Sequence, residues 1–228
     1  MNKKQWENFV YYHKWHMVAG VFALVLAWML VSDFYEMRRS PDYQIGLLVR
    51  EAAPTGLTDE LELGFESILD DRNGDGTVSV NVNEYVLDFE DQDTKSLQDI
   101  YGQSSNVVAF TGDYKSQQCM LYLCKDVAYF QEAFGVFANN DGSTEVALSD
   151  ATMQQLGFRW DSCDPLRNLP MSAIGVGESA QAYMKDFRLL LRCAAEEEVL
   201  SDEEARYYQD AFLTFSRLHQ QCDPAGNG

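Results

Sequence analysis

An α/β architecture is what this sequence predicts: an N-terminal transmembrane helix followed by a single mixed or mostly parallel sheet domain flanked by helices. Three observations carry that expectation. Fifteen consecutive uncharged residues, Met17 to Val31 (MVAGVFALVLAWMLV), stand near the start of an otherwise acidic chain. Beyond residue 40, apolar runs of strand length alternate with segments whose apolar residues recur at helical spacing. Clusters of turn formers separate them.

The uncharged core covers roughly 22 Å at about 1.5 Å per residue, short of a hydrocarbon layer of about 30 Å. Flanking aromatic residues complete the span: Tyr11, Tyr12 and Trp15 before it, Phe34 and Tyr35 after it, as an aromatic belt requires. A cleaved signal peptide fits less well. The charged and aromatic stretch before the core is long for an n-region, and no small-x-small site follows the core. The expected organisation is a short cytoplasmic tail at 1–16, a transmembrane helix at 17–35, a linker at 36–42, an α/β domain at 43–222 and a flexible tail at 223–228. Three Lys before the span against Arg38 and Arg39 after it put the N-terminus inside. The expected location is the cell membrane, single-pass, with the soluble domain extracytoplasmic.

The elements follow in order. Tyr43 to Arg50 (YQIGLLVR) is a first strand, broken by Pro54, Thr55 and Gly56. Thr58 then caps a helix with Asp59 and Glu60 in its first turn and Leu61, Phe65, Ile68 and Leu69 on one face. Val78, Val80 and Val82 alternate with polar residues, the pattern of a strand with one wet face and hence of a sheet edge. Thr94 caps a short helix ending at Gly102, and Asn106 to Phe110 (NVVAF) is a buried strand. Cys119 to Cys124 is another. Asp126 opens a helix carrying Val127, Phe130, Phe134 and Phe137, Asn139 to Ser143 is a turn, and Ser149 starts a small helix that ends at Gly157. Trp160 to Pro170 is loop. Met171 to Val176 is a last strand, followed by a helix from Ser179 to about Glu198 with Phe187, Leu190 and Leu191 inward. Ser201 and Glu204 form a capping box that announces the final helix.

Charge narrows the function. The chain carries 17 Lys and Arg against 36 Asp and Glu; setting aside the five and three in residues 1–40 leaves 12 basic and 33 acidic residues, a balance of −21 for the remainder. Such a domain is repelled by nucleic acid, which excludes that class of partner. The five cysteines, Cys119, Cys124, Cys163, Cys193 and Cys222, leave at least one unpaired, and Cys119 and Cys124 lie about 17 Å apart if the strand between them is extended. Either the compartment is reducing or the cysteines are buried as small hydrophobes.

Asp71 to Val78 (DRNGDGTV) matches the opening of a calcium loop, with Asp71, Asn73, Asp75 and Thr77 as candidate ligands through side-chain oxygens and the Thr77 carbonyl. The acid expected at the twelfth position is Val82, and a strand follows in place of a second helix. Calcium and a plain helix stop with a tight turn both stay open. Gly175 to Ala180 (GVGESA) sits where a dinucleotide fingerprint would, yet no strand ending in an acid follows, so it reads as a strand-to-helix turn. His13 and His16 read as interfacial anchors and Trp160 as core. The only histidine beyond the span is His219, a poor supply of bases, so no enzyme is expected.

The succession TDELELGFESILDD, NVNEYVL, TKSLQDIYGQ and NVVAF, with Met171 to Ala194, resembles one lobe of extracellular, type 2 periplasmic-like solute-binding proteins. The opening WENFVYYHKWHMV and the later PDYQIG are similar to bacterial single-pass membrane-anchored proteins. The resemblance implies a membrane-anchored extracytoplasmic binding module, with a membrane-protein or transporter partner. It also implies a ligand beyond the carboxyl ends of strands, near Thr111, Gly112, Asp113, Gly175 and Gly177. An accessory or scaffold subunit that binds a protein and no small molecule is the alternative.

Overall fold

The computed structural model describes residues 15–16, 18–29, 41–88, 97–147, 149–175, 177–194 and 201–222. The chain divides into two units, Met1–Ser40 and Pro41–Gly228. In the first, helix α1 (residues 18–29) exposes its apolar side chains, Leu24 at 72% and Trp28 at 76% among them. Among the described residues no helix is long and apolar enough to cross a membrane. Residues 17 and 30–35 of the expected span lie outside the described residues.

The second unit is built on a five-stranded mixed sheet in the order β2-β1-β3-β7-β4. Strands β1 (Tyr43–Val49), β2 (Val80–Val86) and β3 (Leu121–Cys124) are parallel, with Ile45 opposite both Val82 and Leu121. Strand β7 (Arg188–Leu191) runs antiparallel to β3 and to the two-residue β4 (Phe158–Arg159). The period of two sorts the central strands onto two cores. Tyr43, Ile45, Leu47, Val49, Leu121, Leu123, Leu189 and Leu191 face helices α2 (Leu57–Glu66) and α8 (Asp202–Gln221). Leu48, Tyr122, Cys124 and Leu190 face α3 (Leu97–Lys115), α4 (Val127–Phe134) and α5 (Asp150–Gln155). Strands buried on both faces read as unbroken apolar runs, which is why LLV and RLLL are so uniform.

Strand β2 is the edge, as its alternation predicts, and two of its outward amides are covered. Glu62 and Glu66, one turn apart on α2, accept from the backbone N–H of Val82 (2.9 Å) and Val80 (3.3 Å). The helix pitch thus matches two strand amides two residues apart, and carboxylates occupy positions an added strand would need.

Several expectations are corrected. Asn106 to Phe110 is not a strand: α3 runs on through Gly102 to Lys115, because Val107, Phe110 and Tyr114 fall on one helical face against the second core. The helix expected from Ser179 to about Glu198 is only α7 (Ala180–Met184); the chain then turns into β7, whose consecutive leucines mimic a helical period but are buried on both sheet faces. The strand expected at Met171 to Val176 shrinks to β5 (Ala173–Ile174), which pairs in a separate hairpin with β6 (Glu178–Ser179). The loop from Trp160 holds α6 (Asp164–Arg167), with Pro165 in its first turn. Helix α2 starts at Leu57, with Gly56 and not Thr58 at the cap. The cap at Thr94 falls outside the described residues. Ser149 caps α5 and the Ser201–Glu204 capping box opens α8, both as read from sequence.

Cys163 and Cys222 form a disulfide across 59 residues, tying the segment before α6 to the end of α8. A loop of that length stabilises by about 4 kcal/mol in the chain-entropy account. Cys119, Cys124 and Cys193 are free and buried.

Gly46 lies in the middle of β1, where a Cβ would run into the ring of Tyr122. That ring is buried between Phe110 and Phe137, with nowhere to retreat. Gly46→Ala is expected to cost about 1–3 kcal/mol through overpacking, read as a lower denaturation midpoint at unchanged slope; an unchanged midpoint would show that the two side chains do not share this space.

Candidate functional site: a charged crevice at the strand ends

The chain leaves β1 toward β2 on one side and reaches β3 on the other, so the connections beyond the carboxyl ends of β1 and β3 diverge. In parallel sheets this is where a crevice opens. It does so here. A cleft of about 650 Å³ is lined by Arg50 and Glu51 after β1, Asp88 after β2, Lys125 and Asp126 after β3, and by Tyr183, Lys185 and Asp186 from the α7–β7 connection. A second cleft of about 450 Å³ shares Lys125, Asp126 and Asp186 and adds Tyr129, Arg159 and Arg188.

Arg50, Lys125 and Asp126 directly follow the apolar strands β1 and β3, the first positions at which a charge reaches water. Arg50 donates from Nη2 and Nε to Asp88 Oδ1 (3.0 and 3.3 Å), and its guanidinium lies 4.7 Å from the centre of the Tyr129 ring. Arg159 grips Asp161 with two hydrogen bonds of 2.9 and 2.8 Å and lies 3.9 Å from Asp186. The bond to Arg159 holds the Asp161 carboxyl below the usual range, and the same bond raises Arg159. Arg188 donates instead to the carbonyls of Leu156 (2.6 Å) and Gly157 (3.2 Å). Burial, and then the like charge of Arg159, push Arg188 down from its ordinary value. Gly157 is fixed by geometry: it has φ of +61°, and a Cβ would collide with the carbonyl oxygen of Leu189.

The residues singled out in the sequence lie elsewhere. Thr111, Gly112 and Asp113 are in α3, where Asp113 accepts from Tyr85 Oη at 2.6 Å. Gly175 and Gly177 flank the turn of the β5–β6 hairpin. Neither group lines the clefts. The signal for the crevice was present as a charge directly after an apolar strand, Arg50 after YQIGLLV and Lys125-Asp126 after LYLC. The wrong element assignments at 106–110 and 179–198 diverted it.

The loop 71–77 lies at the opposite, amino-terminal end of the sheet. Asp71 accepts from the amides of Gly74 (2.7 Å) and Gly76 (2.8 Å), Asn73 from Asp75 N (2.8 Å), and Asp75 from Thr77 N (2.9 Å). Beneath it is a residue the sequence reading missed. Asp42, fully buried, accepts from the amides of Arg72 (3.0 Å), Asn73 (2.8 Å) and Ser79 (2.9 Å) and so fastens the loop to the start of β1. Among the described residues no group of three His, Cys, Asp or Glu is gathered to hold a metal ion.

Nucleophilic chemistry finds little support in the side chains near the core. Burial pushes the thiols of Cys119, Cys124 and Cys193 up, which keeps them protonated and weakly nucleophilic. His219 is stacked on Phe158 (5.6 Å between ring centres) and Phe215 (6.2 Å). Trp160 is core, 1% exposed, its indole N–H on Gln181 Oε1 at 2.7 Å.

Comparison with known proteins gave no match: no family model, no curated protein and no solved structure matches the chain. Fold and crevice therefore define a class only, a mixed-sheet α/β protein with a polar cleft at its topological switch point.

Arg192, 2% exposed, leaves Nε and Nη1 without hydrogen bonds; its guanidinium stands 4.1 Å from the centre of the Tyr114 ring. The cost of burying unsatisfied donors exceeds what a cation–π contact returns. Arg192→Met is expected to raise stability by about 1 kcal/mol or more, measured by chemical denaturation; a loss of stability would show that the charge is compensated.

Proposed function

We propose that the chain is a membrane-anchored extracytoplasmic binding module of solute-binding-protein type, taking a small polar molecule in the crevice at the carboxyl ends of β1 and β3. The observation that carries the proposal is the crevice itself: about 650 Å³, within the range of small-molecule sites, at the switch point where open α/β sheets bind ligands. The anchor rests on the uncharged run Met17 to Val31 with its aromatic flanks, and on the apolar side chains that α1 leaves exposed. In this proposal the acidic domain faces outward, beside a membrane-protein or transporter partner, and carries out no catalysis.

The alternative, an accessory subunit that docks only on protein, needs a contiguous apolar face. Among the described residues of the domain the exposed large apolar side chains are Leu63 on α2, Val108 on α3 and Leu213 on α8, one to a helix, an arrangement that favours the crevice. Calcium at Asp71, Asn73, Asp75 and Thr77 would be a structural ion in the proposal, at the end of the sheet away from the crevice.

Thermal unfolding of the full chain in nonionic detergent against a library of small polar metabolites tests the reading. At least one compound is expected to raise the midpoint, by the equivalent of about 2.7 kcal/mol at a hundred times its Kd. Ala182→Trp, which places a bulky ring in the cleft lining, should abolish that shift. If every compound leaves the midpoint in place, the binding-module reading fails.

A further inference from the structure

One wall of the larger cleft is made of short pieces. Ala182, Tyr183, Lys185, Asp186 and Phe187 line it from α7 and its connection to β7. Helix α7 has five residues, α6 has four, and strands β5 and β6 between them have two each. Elements this short are not held by their own backbone bonds, since isolated helices under about 12 residues are marginal in water. What fixes the wall comes from outside it.

Gln181 supplies the fastening. Its Oε1 accepts from the indole N–H of Trp160 (2.7 Å), and its amide nitrogen donates to the carbonyls of Leu166 (3.1 Å) and Leu169 (3.2 Å). Trp160 also reaches the other end of the wall, where its backbone N–H donates to the Phe187 carbonyl (2.8 Å). Leu166 lies in α6 and Leu169 just past it, and α6 is seated on Cys163, whose carbonyl accepts from Arg167 N (2.9 Å). Cys163 is bonded in turn to Cys222 at the end of α8. Helix α8 has its own hold on the sheet: Tyr207 Oη accepts from Gln44 N (2.8 Å), the Thr214 and Tyr43 hydroxyls share a hydrogen bond (3.2 Å), and Phe215 and Leu218 are buried in the first core. It is the fixed post, and α6 and α7 are what the disulfide ties to it.

We infer that the Cys163–Cys222 disulfide is a one-way latch on the crevice: its formation in an oxidising compartment fixes α6 and, through Gln181, the wall at 180–187. The inference rests on the binding-module reading and names how that site is regulated. In the step itself the two thiols give up two electrons and two protons to a disulfide oxidant, R–S–S–R, which leaves as two R–SH while the Cys163–Cys222 bond forms. A thiol-rich interior keeps the pair reduced and the wall loose, and export closes it. Once formed, the bond is shielded, because Cys163 is 0% and Cys222 6% exposed and an attacking thiolate needs access to a sulfur. Cys119, Cys124 and Cys193 are buried and unpaired, so the oxidant acts on this pair.

Amide hydrogen exchange on the full chain in nonionic detergent tests the latch without any ligand. One sample is purified in dithiothreitol throughout and one is treated with oxidised glutathione, the bond being checked by intact mass after alkylation. Residues 164–169 and 180–187 are expected to exchange about tenfold or more faster in the reduced chain, while Ile45 to Val49 and Leu121 to Cys124 keep their protection. Cys163→Ala combined with Cys222→Ala, which leaves no thiol to reoxidise, should match the reduced chain. In the oxidised chain Gln181→Leu should release 180–187 and leave 164–169 protected. Equal exchange of both segments in the two redox states overturns the latch. So does loss of protection throughout the sheet on reduction, which makes the bond a staple of the whole fold. A wall undisturbed by Gln181→Leu overturns the coupling through that side chain. Failure of the latch leaves the metabolite screen untouched, and silence in that screen leaves the exchange result untouched, so the two readings fail separately.

Discussion

The placement of β1 between two parallel neighbours, with both faces covered, is the constraint on which the rest of the domain depends. A strand in that position must be apolar on both sides, and Ile45, Leu47 and Leu48 are fully buried. It must also leave room where the second core is crowded, and Gly46 does so beneath the Tyr122 ring. Parallel pairing on both sides brings the carboxyl ends of β1, β2 and β3 to one edge of the sheet. The chain leaves the carboxyl end of β1 toward α2 on one face and that of β3 toward α4 on the other, and among the described residues a crevice lies between these departures.

Charge is then distributed by exclusion. The central strands β1 and β3 hold no ionised group along their length, so charges collect where they stop. At the carboxyl ends they are Arg50, Asp88, Lys125 and Asp126, and they become the lining of the crevice. At the other end the buried Asp42 is tolerated because three backbone amides satisfy it. Along the β2 edge Glu62 and Glu66 take the outward amides. The same physics of desolvation thus yields a site at one end, a fastened loop at the other and a guarded edge between them.

Much of this was legible in the residues. The first strand, the alternating edge strand, the turn at 139–143 and the capped helices beginning near Ser149 and Ser201 follow from local chemistry that burial reinforces. Two segments misled because local preference and tertiary demand part company. NVVAF is rich in β-formers yet lies in α3, whose face toward the second core fixes its state. Phe187 to Leu191 satisfies a helical spacing and a buried strand equally well, and pairing with β3 decides between them. The reading of which residues stand at strand ends inherited both errors, since strand ends are found only when the strands are right. Which cysteines pair was also out of reach, because Cys163 and Cys222 are brought together by the packing of α6 on α8 and not by any spacing.

Amide hydrogen exchange on the native full chain tests the central position of β1 most directly. The amides of Ile45 to Val49 and Leu121 to Cys124 are predicted to exchange only through global unfolding, with protection equal to the unfolding free energy from denaturant titration. Exchange of the β1 amides as fast as those of the β5–β6 hairpin would contradict a central β1, and with it the crevice that its neighbours create.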